Sequence, residues 1–227
     1  GKVRARNEDA YLNNPEQGLW VVADGMGGHH GGDIASRLII DSLAQLPIDG
    51  SFEQRVVQVR QCLHWLNRRL SQEMTVTCES QGKVMGSTVV ALLVDKARAV
   101  CIWAGDSRCY LWRGQHLYQL SRDHSLFQQL LDEKQLSVEE AQQHPSAHAL
   151  TQAVGGSERL ALDILEFTVK SGDVLLLCSD GLYQDVSNEA VGRALSLSTA
   201  ELALDRLFDG VLQGPARDNL TGVVIHL

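Results

Sequence analysis

Five aspartates stand at or beside the ends of apolar runs in this chain: Asp9, Asp24, Asp106, Asp180 and Asp218. Carboxylates brought together at one end of a fold repel each other, and burial raises their pKa values unless cations sit among them. No matching group of lysines or arginines accompanies these acids in the sequence. Hard divalent ions with oxygen ligands, Mg²⁺ or Mn²⁺, are the natural neutralisers. Two such ions roughly 3.5–4 Å apart can activate water and clamp a phosphoryl group.

The stretch Trp20–Ser36 carries the strongest local signal. An apolar run, Leu19 to Ala23, reads as a buried strand that delivers Asp24 at its end, and five glycines follow between positions 25 and 32. Asp33 then opens a helix with Ala35, Leu38, Ile39, Leu43 and Leu46 on one face. A phosphate-cradling dinucleotide loop, a hard-metal site using Asp24 and the Gly25 carbonyl, and a purely structural turn all fit a glycine-rich loop. The glycine spacing is wrong for the dinucleotide fingerprint, and Asp24 would aim a negative charge at a pyrophosphate.

The elements that must position these groups follow in order. Residues 1–10 are polar and read as a solvated surface segment; were they a strand, Glu8 and Asp9 would face opposite sides, and a site would take only one directly. Residues 51–74 form an amphipathic helix through Val56, Val59, Leu63, Leu66 and Leu70. From Gly86 the pattern turns to strands at 87–94, 97–104, 109–112 and 117–120, joined mostly by tight turns that imply antiparallel hairpins. Parallel crossovers need a dozen or more residues, which removes the dinucleotide reading. Residues 121–156 read as a more polar, helical insertion over the sheet edge, with a helix start at Asp123-His124-Ser125 and a capping box at Ser137–Glu140. Strands return at 162–169 and 173–178; the second ends in Ser179-Asp180-Gly181 and repeats the opening device. Two helices and a terminal strand at 220–227 complete the chain. Several strands are apolar throughout, as when two stacked sheets are each covered by helices.

Composition excludes several classes. Among 227 residues, 44% are hydrophobic and the net charge is −8, which argues for a folded domain and against a nucleic-acid surface. No apolar run approaches the roughly 20 residues that span a bilayer, so no membrane association is expected. The chain starts at Gly1 without methionine, and a short N-terminal piece is expected to precede it. Five cysteines (Cys62, Cys78, Cys101, Cys109 and Cys178) lack Cys-x-x-Cys spacing and read as buried free thiols rather than a disulfide frame or zinc site, which fits a cytoplasmic protein.

Taken together, Gly1-x-Val3-Arg4-x-x-Asn7-Glu8-Asp9-Ala10, Asp24-Gly25-Met26-Gly27-Gly28-His29, Gly86-Ser87-Thr88, Gly105-Asp106-Ser107-Arg108, Asp123-His124-Ser125, Ser179-Asp180-Gly181-Leu182 and Asp218-Asn219-Leu220-Thr221 resemble the bacterial PPM (type 2C) metal-dependent Ser/Thr protein phosphatases across nearly the whole chain. The resemblance implies one α+β domain over 1–227: a four-layer αββα sandwich of two antiparallel β-sheets flanked by helices, with a flap at about 121–156. It implies two Mn²⁺ or Mg²⁺ ions per site, Asp24 bridging them and the Gly25 carbonyl as a further ligand. Glu8 would act through water, Asp180 and Asp218 would bind directly, and Asp9 would sit beside the metal shell. Arg4 would clamp the phosphate, and water held between the metals would attack phosphoserine or phosphothreonine in line. Partners implied are phosphorylated proteins and a bacterial Ser/Thr kinase of the eukaryotic-like type. Some relatives accompany type VI secretion systems, which leaves that association open here.

Two departures from the family pattern matter. Met26 stands where many eukaryotic members have a histidine, which leaves the general acid unassigned. A metal-bound water is the expected donor, and His29 and His30 beside the glycine turn read first as structural hydrogen-bonding groups. Gln184 replaces the acid that, with Asp106, holds a third metal, so a weak third site is expected unless a bulge brings in Asp185. The rivals are a catalytically silent binding domain of the same fold and a phosphatase of small phosphate esters. The first would be marked by loss of metal acids, yet Asp24, Asp180 and Asp218 are all present.

Overall fold

A computed structural model describes residues 1–27, 31–47, 49–74, 85–133 and 136–227. The first sheet takes strands β1 (Asp9–Asn14), β2 (Leu19–Met26), β3 (Gly86–Ser87), β4 (Val89–Asp95), β5 (Arg98–Ala104) and β8 (Asp163–Thr168), in the order β1-β2-β4-β5-β8 with β3 on the end of β2. The second takes β6 (Arg108–Arg113), β7 (His116–Gln119), β9 (Val174–Cys178) and β10 (Gly222–His226), in the order β10-β9-β6-β7. All pairings are antiparallel. Helices α1 (Gly31–Ala44) and α2 (Phe52–Arg68, continued by a π-helical turn Arg69–Met74) cover the first sheet. Between β7 and β8 lie α3 (Leu126–Glu133) and α4 (Val138–Gln142). After β9 come α5 (Asp180–Tyr183), α6 (Asn188–Leu195) and α7 (Ala200–Gln213), with α6 and α7 covering the second sheet.

Apolar residues on both faces of the central strands produce this layering. On β2, Leu19, Val21 and Ala23 pack with Ile39 and Leu43 of α1 and Leu63 of α2, while Trp20 and Val22 turn inward against Leu92, Cys101, Leu175 and Leu177 between the sheets. On β9, Leu176 and Cys178 face outward to Val191, Leu195, Leu207 and Val211. Each fully buried Leu or Val is worth roughly 1.5–3 kcal/mol, so the helix-covered faces contribute a large share of the stability. The expected αββα sandwich is therefore present.

Local signals hold in detail. Ser51 caps α2 and Ser137 caps α4 with complete capping boxes, and Ser125 accepts the Gln128 N–H ahead of α3. Cys101, Cys109 and Cys178 are buried free thiols and Cys62 is a half-buried one. Cys78 lies outside the described residues. Among the described residues, no helix is long and apolar enough to cross a membrane. The N-terminal segment corrects the sequence reading: from Asp9 it is an edge strand, not a solvated turn. Helix α1 also starts two residues before Asp33, at Gly31.

Candidate active site

Strand order brings the acids to one end of the sandwich. Strands β2, β5 and β9 finish there, and β6 and β10 begin there: Arg108 and Gly222 both pair with Cys178. Asp24 closes toward β3, where its N–H donates to Thr88 Oγ1 (3.1 Å) and its carbonyl accepts from Thr88 N–H (2.9 Å) and Ser87 Oγ (3.0 Å). Thr88 Oγ1 also lies 2.7 Å from Ser107 Oγ, so the Gly-Ser-Thr and Gly-Asp-Ser-Arg motifs hold one peptide between them. Gly25 must be glycine. A Cβ there would fall 2.1 Å from the Gly32 carbonyl oxygen and 2.7 Å from that of Glu8, so only glycine lets β2 lie against both the start of α1 and the 4–8 segment.

On the other sheet, Asp180 starts α5. A Cβ at Gly181 would sit 1.9 Å from the Asn219 carbonyl oxygen, so this glycine lets the 179–181 turn pack directly on Asp218 and Asn219. Asn219 stitches the N-terminal segment to this turn: its Oδ1 accepts from Glu8 N–H (3.0 Å) and its Nδ2 donates to the Arg6 carbonyl (2.8 Å). Arg4 donates from Nε and Nη2 to the two carboxylate oxygens of Asp218 at 2.9 and 2.7 Å. The resemblance gave these two residues separate tasks; the fold bonds them to each other.

The result is a cleft of about 600 Å³ lined by Arg4, Glu8, Asp24, Gly25, Asp106, Asp180 and Asp218. Met26, Thr88 and Asn219 complete its floor, and residues 148–157 form a wall. The 121–156 segment thus reaches the site through its returning leg. Asp9 is the exception among the sequence candidates. It sits across from Asp24 on the neighbouring strand, does not line the cleft, and accepts a hydrogen bond from Ser179 Oγ (2.8 Å). Directly opposed in an antiparallel pair, the Asp9 and Asp24 side chains share one face of the sheet, so Asp9 acts on Asp24 at close range although it does not line the cleft itself. Asp185 does not line the cleft, and its carboxylate accepts the Ala216 N–H (3.1 Å). Gln184 instead donates to Asp180 Oδ2 (2.8 Å). His29 and His30 lie outside the described residues.

Crowding shows in the carboxyl groups. Burial, then the charges of Asp9, Asp180, Asp106 and Asp218, raises Asp24 well above the ordinary carboxylate range. Burial and then Asp180 push Asp106 up to about 7. Asp9, Asp180 and Glu8 are raised too, each chiefly by burial. The hydrogen bonds to Asp218 raise Arg4.

These residues fit divalent cations. The Oδ1 atoms of Asp9 and Asp180 are buried without a hydrogen-bond partner, which leaves carboxylate lone pairs that a cation would satisfy. Among the described residues, no group of three or more His, Cys, Asp or Glu side chains is already arranged to hold a metal ion. Asp218 faces Arg4 and Asp180 faces Gln184. An open, all-oxygen set of carboxylates and a carbonyl suits Mg²⁺ or Mn²⁺, which keep several waters, better than a closed structural zinc site.

Fold and site together define a class: a double-sheet sandwich that gathers carboxylates at one end. Residues 2–220 match the family model described as Protein phosphatase 2C, and the chain belongs to that family. It is 35% identical over 225 residues to the serine/threonine protein phosphatase PstP of Mycobacterium tuberculosis, covering 99% of this chain and 43% of that protein. The chain thus spans less than half the length of that relative. It is 34% identical over 232 residues to the serine/threonine phosphatase stp of Listeria monocytogenes, covering 100% of this chain and 92% of that one. Among solved structures it is similar to PppA, described as a key regulatory component of T6SS in Pseudomonas aeruginosa, with a TM-score of 0.90 at 43% identity over 100% of this chain and 93% of that one. It is also similar to the catalytic domain of PstP in complex with two manganese ions, with a TM-score of 0.82 at 33% identity over 99% and 93% of the two chains.

Sequence reasoning missed the supports of the site. Thr88, Ser179 and Asn219 each sit in a motif it singled out, but their tasks depend on partners far along the chain. Ser179 Oγ, for example, links Asp9 to the Thr221 N–H.

Proposed function

We propose that this chain is a protein phosphatase that hydrolyses phosphoserine and phosphothreonine with Mn²⁺ or Mg²⁺. One observation carries the reading: Arg4, Glu8, Asp24, Asp106, Asp180 and Asp218 line a single cleft in a chain of the phosphatase 2C family. Asp24, the Gly25 carbonyl, Asp180 and Asp218 would hold two ions, with Glu8 acting through water and Asp9 standing beside the metal shell next to Asp24. Asp106 would contribute to a third, weaker site. When bound, such ions supply an activated water and charge neutralisation at the phosphoryl group. Two bound manganese ions in the PstP relative support this metal class.

The chain's own residues supply recognition and geometry. Arg4 stands at the cleft with a planar fork that matches two phosphoryl oxygens as well as it matches the Asp218 carboxylate. Gly25 and Gly181 let the ligand-bearing turns close on their neighbours. Met26 carries no transferable proton and does not serve as the general acid. The 121–156 segment is the flap in this reading, and its 148–156 leg meets the residues around the phosphorylated side chain. The substrates are phosphorylated proteins, opposed to a Ser/Thr kinase in the cytoplasm; the free thiols support that compartment. Likeness to PppA makes a type VI secretion system a candidate setting.

The test is hydrolysis of a phosphothreonine peptide with Mn²⁺, with Mg²⁺ and with EDTA, in wild type and Asp24→Ala. Metal-dependent turnover lost in the variant is the expected result. Absence of turnover with either metal would replace the enzyme by a silent binding domain.

A further inference from the structure

The motif Asp123-His124-Ser125 has no part in the reaction above, yet it sits where the 121–156 segment leaves the sheets. The side chain of His124 is only 14% exposed and stacks on Trp103, with ring centroids 6.2 Å apart. The Gly105 N–H donates to its Nδ1 (3.3 Å). Nδ1 is therefore bare, and the ring proton is on Nε2, 3.2 Å from the Asp163 carboxylate. The backbone N–H of His124 donates to the Gly105 carbonyl (2.9 Å), and its carbonyl accepts from Thr151 N–H (2.8 Å). One residue thus holds both backbone groups of Gly105, whose φ is +111°, immediately before Asp106. The same residue joins the two legs of the segment.

A second route reaches Asp106 from the adjacent residue. Asp123 takes a two-pronged bond from Arg108, with Nε at 2.9 Å and Nη2 at 2.7 Å. The Arg108 guanidinium lies 3.6 Å from the ring centroid of Tyr183, whose hydroxyl donates to the Asp106 carbonyl (3.0 Å). The dipeptide Asp123-His124 therefore grips the Asp106 turn from both sides. Thr151, bonded to His124, lines the cleft with Asp106.

We propose that His124 is a positioning residue that couples the root of the 121–156 segment to the turn carrying Asp106, so that the cleft wall and this carboxylate keep one relative geometry. The inference rests on the phosphatase reading for its kinetic consequence, but its effect on the cation site is independent of turnover. A ring that only filled space against Trp103 would tolerate any substitute of similar bulk. A ring acting through Nδ1 is replaced by asparagine, whose Oδ1 hangs from Cγ as Nδ1 does. Glutamine, with its amide one bond further out near Nε2, does not replace it.

The experiment compares wild type with His124→Asn and His124→Gln in three readouts: kcat and KM on a phosphothreonine peptide, Mn²⁺ binding by calorimetry, and Tm. His124→Gln is expected to lose about 10-fold or more in kcat and in its weakest Mn²⁺ affinity, as outer-shell partners of metal ligands typically do, with KM little changed. His124→Asn is expected to recover most of both, although its Tm falls with that of His124→Gln because both lose the stacking on Trp103. Equal losses of kcat and Mn²⁺ affinity in the two variants, or no loss in either, would overturn the proposal. A wild type that binds Mn²⁺ without turnover would sink the phosphatase reading instead, and the calorimetric comparison would still decide the role of His124.

Discussion

Stripping divalent ions from this protein should make it less stable as pH rises from 4.5 to 8. The Asp106 carboxyl is pushed up to about 7, by burial first and then by Asp180 and Asp123. Its unfolded value is near 3.9, so the folded chain binds this proton more tightly. That contribution is complete below about pH 4 and is lost as pH rises through about 7. Three units at ~1.36 kcal/mol each give roughly 4 kcal/mol. Asp106 opens onto a wet cleft, and solvent screening reduces this to about 2 kcal/mol. At about 2–4 °C per kcal/mol for a chain of this size, Tm in EDTA should fall by roughly 4–8 °C between pH 4.5 and 8. Asp173, held below its usual range by Arg113, works in the opposite sense but at lower pH. With Mn²⁺ the trend should reverse, since cations favour the ionised carboxylates. Differential scanning fluorimetry of wild type and Asp106→Asn, each with EDTA and with Mn²⁺, measures the effect. A wild-type Tm in EDTA that is flat or rising across this interval, with Asp106→Asn tracking it, would refute the reasoning.

Asp24→Asn removes the most crowded charge, so in EDTA at pH 8 it should raise Tm by a few degrees while Mn²⁺-dependent turnover falls to background; a melt and an assay on one preparation check both. Arg4→Ala should lower kcat/KM about 100-fold, and Arg4→Lys should recover little because an ammonium cannot fork onto two oxygens. The Arg4 side chain is 55% exposed, so neither change should move stability by more than about 1 kcal/mol in a denaturant titration. Gln184→Asp puts a carboxylate where an amide now bonds Asp180, and calorimetry should show a tighter third Mn²⁺ step than in wild type. Three comparably tight steps in the wild type would contradict that expectation. Ser179→Ala leaves Asp9 Oδ2 and the Thr221 N–H without their shared partner, and chemical denaturation should show a loss of about 1–3 kcal/mol.

The sequence by itself determined the layers and marked the acids that the fold gathers. Runs such as Leu19–Ala23 and Val174–Cys178, apolar on both alternating faces, require cover on two sides. Each ends in Asp-Gly, which marks a carboxylate followed by a tight approach of backbone. The helix cap at Ser137 was legible because its partner lies three residues away. Strand β1 was not: Asp9–Asn14 is an edge segment of mixed polarity, and only pairing with β2 fixes its register and sets Asp9 opposite Asp24. Tertiary structure alone joined Arg4 to Asp218, 214 positions apart, and brought Asp123 and His124 to the Asp106 turn. Capping and periodicity depend on neighbours within a turn or two. Which strand ends share an edge, and which side chains then meet there, depends on how all the layers pack at once.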